Sequence, residues 1–341
     1  MNDTSINNRY ISQIKLFSKG IQHQKKLQKS SALVIGAGAL GNVVSLFLVG
    51  AGIGKVGILD GDKVELKNLH RQIAYKESDV GKKKANVLKK ALEKINSNVN
   101  VIAYPFFLSD YNDNLFREYD VIIDSTDNLE SKLIINRLCV KYNKPMVYGS
   151  VYGYKGIVST FIPKKGACLE CIAFNKGSLS CNEGIIGPTA SIVGSIQALE
   201  TIKYIIKSKD ILYNTLLFVN TENYSFGKVK IKKNPLCPVC SNNQRILSIS
   251  IKPQELKKWI NTNEVVLIDI RDQKAYKKNH IESSINIQIK MIGKIIKNNR
   301  NKKIVLYCEK GIESYNAALY LNKKGILVYS LEGGIERWMK S

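Results

Sequence analysis

The chain has 341 residues, of which 44% are hydrophobic and 23% charged, a composition typical of a globular protein of about two domains at roughly 150 residues each. Its 52 Lys and Arg outnumber its 28 Asp and Glu, and the resulting net charge of +24 favours an acidic partner. However, the chain is also rich in Asn, Ile and Tyr, which, like Lys, have A/T-rich codons. A codon bias of the genome therefore explains the charge equally well. Seven cysteines, an odd number that includes two widely separated C-x-x-C pairs, argue against a secreted disulfide scaffold and favour metal-binding and catalytic thiols in a reducing compartment.

The N-terminal segment MNDTSINNRY is polar and lacks the apolar stretch of a secretory signal, so none is predicted. The uncharged stretch at residues 30–54 is long enough to suggest a membrane span. Six glycines interrupt it, at Gly36, Gly38, Gly41, Gly50, Gly52 and Gly54. A buried β-α-β unit therefore explains the stretch better than a transmembrane helix does.

Strands and helices alternate along the first two thirds of the chain. The sequence predicts, in order, a strand at 31–36, a helix at 40–50, a strand at 55–60, a basic helix at 82–95, strands at 99–103 and 120–124, a helix at 129–142 and a strand at 145–149. This alternation predicts a Rossmann-like, doubly wound and mostly parallel sheet. Later strands at 157–162 and within 213–231, separated by a helix at 188–207, are expected to be antiparallel.

The pattern changes after residue 240. Residues 241–249 are typical of a connector, and a second, smaller α/β pattern follows, with strands at 265–269 and 304–308. We therefore expect an α/β fold in two domains, residues 1–244 and 245–341, with the boundary near residue 245.

A glycine-rich turn follows the first strand. Gly36, Gly38 and Gly41 form a G-x-G-x-x-G pattern, in which glycine lets backbone N–H groups approach a phosphate and the helix N-terminus supplies partial positive charge. Asp60 ends the next strand, where a carboxylate can accept both hydroxyls of a ribose. These features alone predict an NAD-dependent oxidoreductase, which stays open as an alternative.

Charged residues that follow the next strands favour a different nucleotide chemistry. Arg71, Lys84 and Asp127 all come shortly after predicted strands or open a predicted helix. An NAD site needs no such cluster, whereas nucleotidyl transfer does, because charge builds on the α- and β-phosphates as pyrophosphate leaves. Arg71 and Lys84 would stabilise that charge and Asp127 would bind Mg²⁺. The alternative is that Arg71 and Lys84 are ordinary surface charges.

Residues 9–240 resemble the ubiquitin-activating-enzyme-like adenylyltransferases of sulfur-carrier proteins, which serve the molybdopterin-synthase, thiamine and Urm-type carriers. The matching segments are GAGALG, LDGDKVELKNLHRQ, VGKKKA, DSTDN and GSIQALETIK. The resemblance implies that Asp60 binds the ribose and that Asp127 serves Mg²⁺. It also implies that Asn68, Arg71 and Lys84 contact the phosphates. The complete set assigned to the ATP site is Gly36, Gly38, Ala39, Gly41, Asp60, Asn68, Arg71, Lys84, Asp127 and Asn128.

Two positions depart from the family pattern. Ala39 stands where glycine is usual, which is tolerable because the implied contact is a backbone N–H. Ser12 stands where the family usually has an arginine that reaches the nucleotide of the partner subunit. Either Arg9 replaces that arginine or the contact between subunits is lost, and both remain open. The resemblance also implies a homodimer.

The two C-x-x-C pairs have the spacing of metal-binding knuckles. Four thiolates in a tetrahedral array form a closed structural zinc site. The pairs are Cys168 with Cys171 and Cys237 with Cys240. That the two pairs share one Zn²⁺ is implied by the resemblance and not by the spacing, and unrelated core cysteines are the alternative.

Cys181 lies in a Gly- and Ser-containing segment before the helix that begins near Pro188, and loops often carry reactive groups. It matches a family cysteine proposed to form a thioester or disulfide with the carrier, so a catalytic role and a dispensable one both remain open. Cys139 lies among residues typical of a helix core and is predicted to be structural.

Cys308 ends a predicted strand and begins the segment CEKGIES, which leads into a helix. Backbone N–H groups at a helix N-terminus stabilise a thiolate or persulfide anion. The segments DIRDQKAYKKNHIESSINI and LEGGIERW resemble the rhodanese domain, which makes Cys308 the expected persulfide carrier. Glu313 stands where many rhodaneses have arginine, and Asn279 replaces a usual glycine. An acid there opposes anionic thiosulfate, so a protein persulfide donor is favoured, and a non-catalytic rhodanese is the alternative.

These observations together predict a nucleotidyltransferase that uses ATP and Mg²⁺ to adenylylate the C-terminal Gly-Gly of a small ubiquitin-like sulfur carrier, with Zn²⁺ as a structural metal. Sulfur would come from a cysteine-desulfurase-type persulfide donor. No membrane and no specific nucleic acid is expected as a partner, and the location would be the cytoplasm, or the plastid stroma if the gene is organellar. The remaining rivals are an NAD(P) oxidoreductase and a non-enzymatic RNA-binding or scaffold protein.

Overall fold

The computed structural model describes residues 3–108, 112–173, 184–235, 237, 239–241, 249–262, 264–288, 291–292, 299, 302–323, 326–339 and 341. The chain forms two compact units, Met1–Lys233 and Asn234–Ser341. The domain boundary expected near residue 245 lies outside the described residues.

The first unit contains the predicted alternation of helices and strands. Its helices are α1 Asp3–Leu16, α2 Ile21–Gln28, α3 Ala39–Gly50, α4 Lys84–Ile95, α5 Leu129–Tyr142, α6 Leu169–Ala173 and α7 Gly187–Ile205. Its strands are β1 Ser31–Ile35, β2 Lys55–Leu59, β3 Asn100–Tyr104, β4 Val121–Asp124, β5 Met146–Tyr152, β6 Lys155–Phe161, β7 Thr215–Asn220 and β8 Ser225–Lys230.

The strands of this unit form one sheet in the order β3-β2-β1-β4-β5-β6-β7-β8. The pairs from β3 to β5 are parallel and the pairs from β5 to β8 are antiparallel. The prediction of a doubly wound, mostly parallel sheet with later antiparallel strands is therefore confirmed. The chain order reverses between β1 and β4, and ligands of open α/β sheets bind beyond the carboxyl ends of the strands at such a point.

Alternate residues of the central strands pack against helices on opposite faces of the sheet. Val34 of β1 lies in a core cluster with Val44 of α3 and Ala198 of α7. Leu33, the neighbouring residue, lies in a second cluster with Leu133 of α5. Each buried aliphatic side chain of this kind stabilises the fold by about 1.5–3 kcal/mol. Helices α3, α4 and α7 therefore cover one face, and α5 covers the other.

Two N-terminal helices, neither of them predicted from the sequence, precede the first predicted strand. Tyr10 attaches α1 to the unit, because its side chain is buried and its hydroxyl accepts a hydrogen bond from Asn96 Nδ2 at 2.8 Å. A side chain on Gly52 would collide with the Tyr10 ring, so the glycine makes room for this contact.

The second unit is a smaller α/β structure. Its strands β9 Ser250–Ile251, β10 Val265–Asp269, β11 Ile285–Asn286, β12 Lys303–Tyr307 and β13 Tyr329–Leu331 pair in parallel in the order β11-β10-β12-β13-β9. Its helices are α8 Pro253–Asn261, α9 Gln273–Lys278, α10 Ile312–Lys323 and α11 Gly334–Trp338. Buried Leu256, Leu267, Val305 and Ile335 form its core. Cys308 follows β12 directly, as predicted.

The uncharged stretch at residues 30–54 forms β1, α3 and the turn toward β2, which is the predicted β-α-β arrangement. In the part of the chain that the structure describes, no helix has both the length and the hydropathy needed to cross a bilayer.

Candidate functional site

The turn between β1 and α3 requires glycine at two of its positions. Gly36 has a φ of 94°, and a Cβ on it would lie 2.7 Å from the carbonyl oxygen of Ser125. A Cβ on Gly41 would overlap the carbonyl oxygen of Gly36, so this glycine lets α3 start close to the strand. Gly38 differs, because only Gln72 Nε2 approaches its Cβ position, at 3.9 Å. The space beside Gly38 is available to a ligand.

Two side chains hold the carbonyl groups of this turn. Asn42 Nδ2 donates to the carbonyl oxygens of Ala37 at 2.9 Å and Gly38 at 3.0 Å, and the Tyr75 hydroxyl donates to that of Ala37 at 2.7 Å. Burial raises the pKa of Tyr75, so its hydroxyl stays a donor. The N–H groups of the first turn of α3, which a helix cannot bond internally, suit an anion.

Asp60 follows β2 and fixes the turn from the other side. Its Oδ2 accepts from the backbone N–H of Ala37 and its Oδ1 from that of Asp62, both at 2.7 Å. Burial raises the pKa of Asp60, and the two backbone hydrogen bonds oppose that rise. A carboxylate held in this way can still accept hydroxyl groups with its remaining lone pairs.

A cavity of about 890 Å³ lies at the carboxyl ends of β1, β2, β4 and β5, within the size range of small-molecule sites. The predicted nucleotide-site residues that line it are Gly36, Gly38, Ala39, Asp60, Asn68, Arg71, Lys84, Asp127 and Asn128. Gly41 does not line the cavity, in keeping with its close contact to the turn backbone. The residues singled out from separate parts of the sequence therefore meet in one place.

Two of the cations that line this cavity are the ones predicted from the sequence. Arg71 Nη2 donates to Asn68 Oδ1 at 2.8 Å, and its Nη1 lies 2.9 Å from His70 Nε2. Lys84 is only 6% exposed, and its Nζ lies 3.2 Å from Asp62 Oδ2. Neighbouring side chains hold both residues in place. The geometry therefore favours a role at the cavity over the alternative that Arg71 and Lys84 are ordinary surface charges.

Asp127 follows β4 and is exposed at the cavity. Its Oδ1 accepts one long hydrogen bond, from Asn128 Nδ2 at 3.4 Å. One available carboxylate, completed by phosphate oxygens and water, is the usual protein contribution to a Mg²⁺ site beside a nucleotide. The donor set therefore fits this ion.

The four knuckle cysteines converge. The Sγ atoms of Cys168, Cys171, Cys237 and Cys240 all lie within 4.8 Å of one another, and those of the first two are 3.9 Å apart. A tetrahedron of thiolates about 2.3 Å from Zn²⁺ has S–S edges of about 3.8 Å. The backbone N–H of Cys168 also donates to Cys171 Sγ at 3.4 Å. The cluster fits a structural zinc ion.

Two further cysteines lie between residues 130 and 190 of the sequence. Cys181, the candidate for a thiol that contacts the carrier, lies outside the described residues. Cys139 is buried in the α5 core cluster, and burial raises the pKa of its thiol, as expected of a structural cysteine.

Cys308 lies at the start of α10 in a ring of donors. Its Sγ accepts from the backbone N–H of Gly311 at 3.2 Å and from the N–H and Oγ–H of Ser314, each at 3.5 Å. Donors directed at one sulfur stabilise a thiolate or a persulfide anion. Cys308 is 3% exposed, so solvent contributes little to that stabilisation.

Charged residues surround this cysteine loop. Arg271 donates to Asp269 Oδ2 at 2.8 Å, to Glu309 Oε2 at 2.7 Å and to the carbonyl of Asn279 at 2.7 Å. Burial opposes the charge of Arg271, but the bonds to Asp269 and Glu309 outweigh it and raise the pKa of the guanidinium. Asn279, which stands in place of a glycine, also accepts from Arg271 through Oδ1 at 3.2 Å. Glu313 is exposed at the start of α10.

Comparison with known families finds two matching regions along the chain. The model of the ThiF family matches residues 10–239, and the model of the rhodanese-like domain matches residues 252–341. The chain belongs to the ThiF family. A mixed α/β fold of the ThiF family, followed by a rhodanese domain, is therefore established.

Several relatives span most of this ThiF-family chain. A probable molybdopterin-synthase adenylyltransferase of Porphyra purpurea is 32% identical over 93% of this chain and 89% of its own length. The adenylyltransferase and sulfurtransferase MOCS3 of Aedes aegypti is 31% identical over 97% and 86%. A sulfur carrier protein adenylyltransferase of Thermus thermophilus is 37% identical over 69% of this chain and 90% of its own.

The ThiF-family fold is also similar to solved structures of the E. coli protein MccB. The crystal structure of MccB with MccA-N7isoASN has a TM-score of 0.63 and 26% identity, and it covers 69% of this chain and 75% of MccB. The structure of MccB with AMPCPP and MccA has a TM-score of 0.62 and 25% identity over 70% and 75%.

Three residues of the ThiF-family unit line the cavity and are missed by the sequence analysis. Gln72 and Ser125 are buried, and Gln72 Oε1 and Ser125 Oγ have no hydrogen-bond partner within the described part of the chain. Lys132 is 5% exposed and lies one turn into α5. Gln72 and Ser125 fall within NLHRQ and DSTDN, two segments that match the family, and this position is the sequence signal that could have identified them. Nothing near Lys132 in the sequence distinguishes it from a surface lysine.

The structure also bears on the missing family arginine. Arg9 Nη1 donates to the carbonyl oxygen of Ile95 at 3.0 Å, at the last residue of α4. Ser12 is exposed on α1. Within one chain, Arg9 therefore stabilises a helix C-terminus, where a cation is favourable.

Proposed function

We propose that this chain adenylylates the C-terminal glycine of a small ubiquitin-like sulfur carrier with ATP and then transfers sulfur to it, giving a thiocarboxylate. The favoured carrier is the small subunit of molybdopterin synthase, in molybdenum cofactor biosynthesis. Thiamine and Urm-type carriers, the latter in tRNA thiolation, are the alternatives. The names of the Porphyra purpurea and Aedes aegypti relatives, which match over most of the chain, support this reading.

One observation carries the proposal. The glycine turn, the Asp60 carboxylate, the cations of Arg71 and Lys84 and the carboxylate of Asp127 all border a single cavity. Dinucleotide binding needs the first two, whereas nucleotidyl transfer needs all of them, because charge accumulates on the phosphates during the reaction.

In the first step, a carboxylate oxygen of the carrier's last glycine attacks the α-phosphorus of ATP. A new P–O bond forms, the bond from that phosphorus to the bridging oxygen breaks, and pyrophosphate leaves with the electron pair. Arg71 and Lys84 stabilise the charge on the leaving group, and Asp60 orients the nucleotide through its ribose. Mg²⁺, which Asp127 would hold, supplies further neutralisation of phosphate charge.

In the second step, sulfur carried on Cys308 replaces AMP. The terminal sulfur of a Cys308 persulfide attacks the acyl carbon and displaces AMP, which gives an acyl disulfide. A second thiol then attacks the Cys308 sulfur, so that the S–S bond breaks and the thiocarboxylate leaves. This step leaves a disulfide between Cys308 and the second thiol, which a cellular dithiol reduces. Cys181 is our candidate for that thiol.

The partners follow from this chemistry. We expect the carrier to present a flexible Gly-Gly terminus. We favour a cysteine-desulfurase-type donor for the persulfide, since the acidic Glu313 opposes thiosulfate. Zn²⁺ on the four knuckle cysteines would hold the local fold. We further propose a homodimer and a reducing compartment, the cytoplasm or a plastid stroma, the second because a red algal protein is among the relatives.

The test is carrier-dependent exchange of labelled pyrophosphate into ATP, followed by mass spectrometry of the carrier. The molybdopterin-synthase small subunit, a thiamine carrier and a Urm-type carrier would each be assayed with and without a cysteine desulfurase. We expect exchange with at least the first, and the thiocarboxylate only when the desulfurase is present. Absence of exchange with all three, together with tight binding of NADH, would favour the oxidoreductase alternative.

A further inference from the structure

Lys132 is a buried cation at the nucleotide cavity, and the proposed chemistry does not use it. Its Nζ lies 3.2 Å from Asp124 Oδ2, donates to the carbonyl oxygen of Gly149 at 2.7 Å, and lies 4.9 Å from the ring centroid of Tyr148. The side chains of Lys132 and Asp124 are 6% and 0% exposed. Removing both charges from water costs desolvation free energy, so this buried pair differs from an ordinary surface ion pair and calls for a structural or functional reason.

Asp124 connects Lys132 to the loop at residues 124–128. Its Oδ1 accepts from the backbone N–H of Thr126 at 3.0 Å and from the Thr126 hydroxyl at 2.6 Å, while Oδ2 faces Lys132. The side chain that ends β4 therefore fixes the first turn of the loop and ties it to α5.

A second set of hydrogen bonds reaches the ends of these strands from the opposite face of the sheet. Gln197 of α7 is fully buried, and its Nε2 donates to the carbonyl oxygens of Asp124 at 2.8 Å and Val147 at 3.3 Å. Gln197 and Lys132 thus hold the carboxyl ends of β4 and β5 from both sides. A Cβ on Gly149 would collide with Gln197, so the glycine allows this close approach.

The far end of the loop is fixed as well. Asn128 caps α5, since its Oδ1 accepts from the backbone N–H of Ser131 at 2.8 Å. Asp127 is the residue between these attachments, and its carboxylate is exposed at the cavity. We propose that Lys132 is a positioning residue: through Asp124, and together with Gln197, it holds the 124–128 loop so that Asp127 presents its carboxylate to the Mg²⁺ of a bound nucleotide.

This inference rests on the proposed function for its magnesium part only, because the bracing of the loop concerns the protein without ligand. When a metal ligand lies on a loop that nothing holds in place, the loop must become ordered as the ion binds. The free energy lost in ordering the loop weakens the binding of the ion. Loss of the brace should therefore raise the Mg²⁺ concentration needed to bind nucleotide and should release the loop amides.

The experiment compares three variants of the full chain. Lys132→Met removes the charge and keeps the length, but leaves Asp124 buried without its partner, so thermal stability is expected to fall. Asp124→Asn with Lys132→Met removes both charges and keeps an acceptor for Thr126, so most of that stability should return. Lys141→Met is the matched control, since Lys141 lies on the same helix in an ion pair with Asp113 at 2.7 Å and is 58% exposed.

Two measurements distinguish positioning from stability. Hydrogen exchange of the loop amides is followed without ligand, and binding of the non-cleavable analogue AMPCPP is followed by calorimetry as Mg²⁺ is varied. In both the single and the double variant we expect faster loop exchange and about a tenfold rise in half-saturating Mg²⁺, at the lower end of the effect of losing a residue that orients a metal ligand. Lys141→Met should change neither.

The inference is overturned if the double variant regains wild-type loop exchange and Mg²⁺ dependence along with its stability, because Lys132 would then only stabilise the fold. It is equally overturned if Lys132→Met changes neither measurement. If the wild-type protein bound no Mg²⁺ and AMPCPP at all, the proposed function would fail and the magnesium part with it. Loop exchange in the ligand-free protein would still decide whether the brace exists.

Discussion

Arg71 is held in place before any nucleotide binds, because Asn68 accepts from one of its guanidinium nitrogens at 2.8 Å. A pre-oriented fork of donors stabilises developing phosphate charge without reorganisation during the reaction. We therefore expect Arg71→Met to lower carrier-dependent pyrophosphate exchange by about a hundredfold, the usual effect of removing one such donor. Steady-state exchange assays at saturating ATP measure this.

The exposed Arg117 serves as the comparison for that variant, because its guanidinium carbon lies 5.0 Å from the Tyr142 ring centroid on the surface and it does not line the cavity. Arg117→Met should exchange pyrophosphate at the wild-type rate. Equal rates for the two variants would mean that Arg71 does not take part in phosphate chemistry.

At the scale of elements, the turn between β1 and α3 separates two roles of glycine. In Gly41→Ala the new methyl group meets the carbonyl oxygen of Gly36 in a packed region, so we expect a loss of about 1–3 kcal/mol in unfolding free energy. In Gly38→Ala the methyl group meets no protein atom closer than 3.9 Å, so the melting temperature should stay near that of the wild type. ATP affinity should nevertheless fall, since the methyl group enters the space that a phosphate would use.

Calorimetric melting and AMPCPP titration of the two variants separate these effects. A Gly38→Ala protein that binds the analogue as well as the wild type would show that the phosphates lie elsewhere. A Gly41→Ala protein of unchanged stability would show that the turn adjusts more easily than its geometry indicates.

The cysteine cluster gives an element-scale expectation about metal. Elemental analysis of the purified chain should find one zinc per chain, and Cys171→Ser should lose it together with thermal stability, because a tetrahedral site with three thiolates binds zinc much less tightly. Cys139→Ser removes a buried thiol outside the cluster and should retain the zinc. Full zinc content in the Cys171 variant would exclude the four-cysteine site.

The elements of the fold differ in how far their sequences alone predict them, and the reasons are physical. The β-α-β unit around Gly36 was predictable because apolar runs and glycine positions are local signals. Helices α1 and α2 were not, because they are polar in sequence and depend on tertiary contacts such as that of Tyr10 with Asn96. Lys132 was not predicted for a similar reason, since its ion pair with Asp124 forms only when β4 and α5 pack together. The convergence of the two C-x-x-C pairs on one site likewise depends on the fold. It was expected only because the family resemblance implied it.

At the scale of the whole molecule, the two units carry two chemistries that should be separable by mutation of the intact chain. Cys308 belongs to the second unit, whereas Arg71, Lys84 and Asp127 belong to the first. Cys308→Ser keeps the volume of the side chain nearly unchanged and removes the sulfur that would carry a persulfide. We expect this variant to exchange pyrophosphate at the wild-type rate and to form no thiocarboxylate.

Mass spectrometry of the carrier, incubated with ATP, Mg²⁺, a cysteine desulfurase and its cysteine substrate, distinguishes the possible results. With Cys308→Ser the carrier should remain adenylylated, because the acyl-adenylate forms and nothing removes its AMP. Arg71→Met should show the opposite defect, with little adenylate and an intact ability of Cys308 to accept sulfur from the desulfurase. If Cys308→Ser still produced thiocarboxylate at the wild-type rate, sulfur would reach the carrier without the rhodanese domain, and the donor would have to act directly on the adenylate in the first unit.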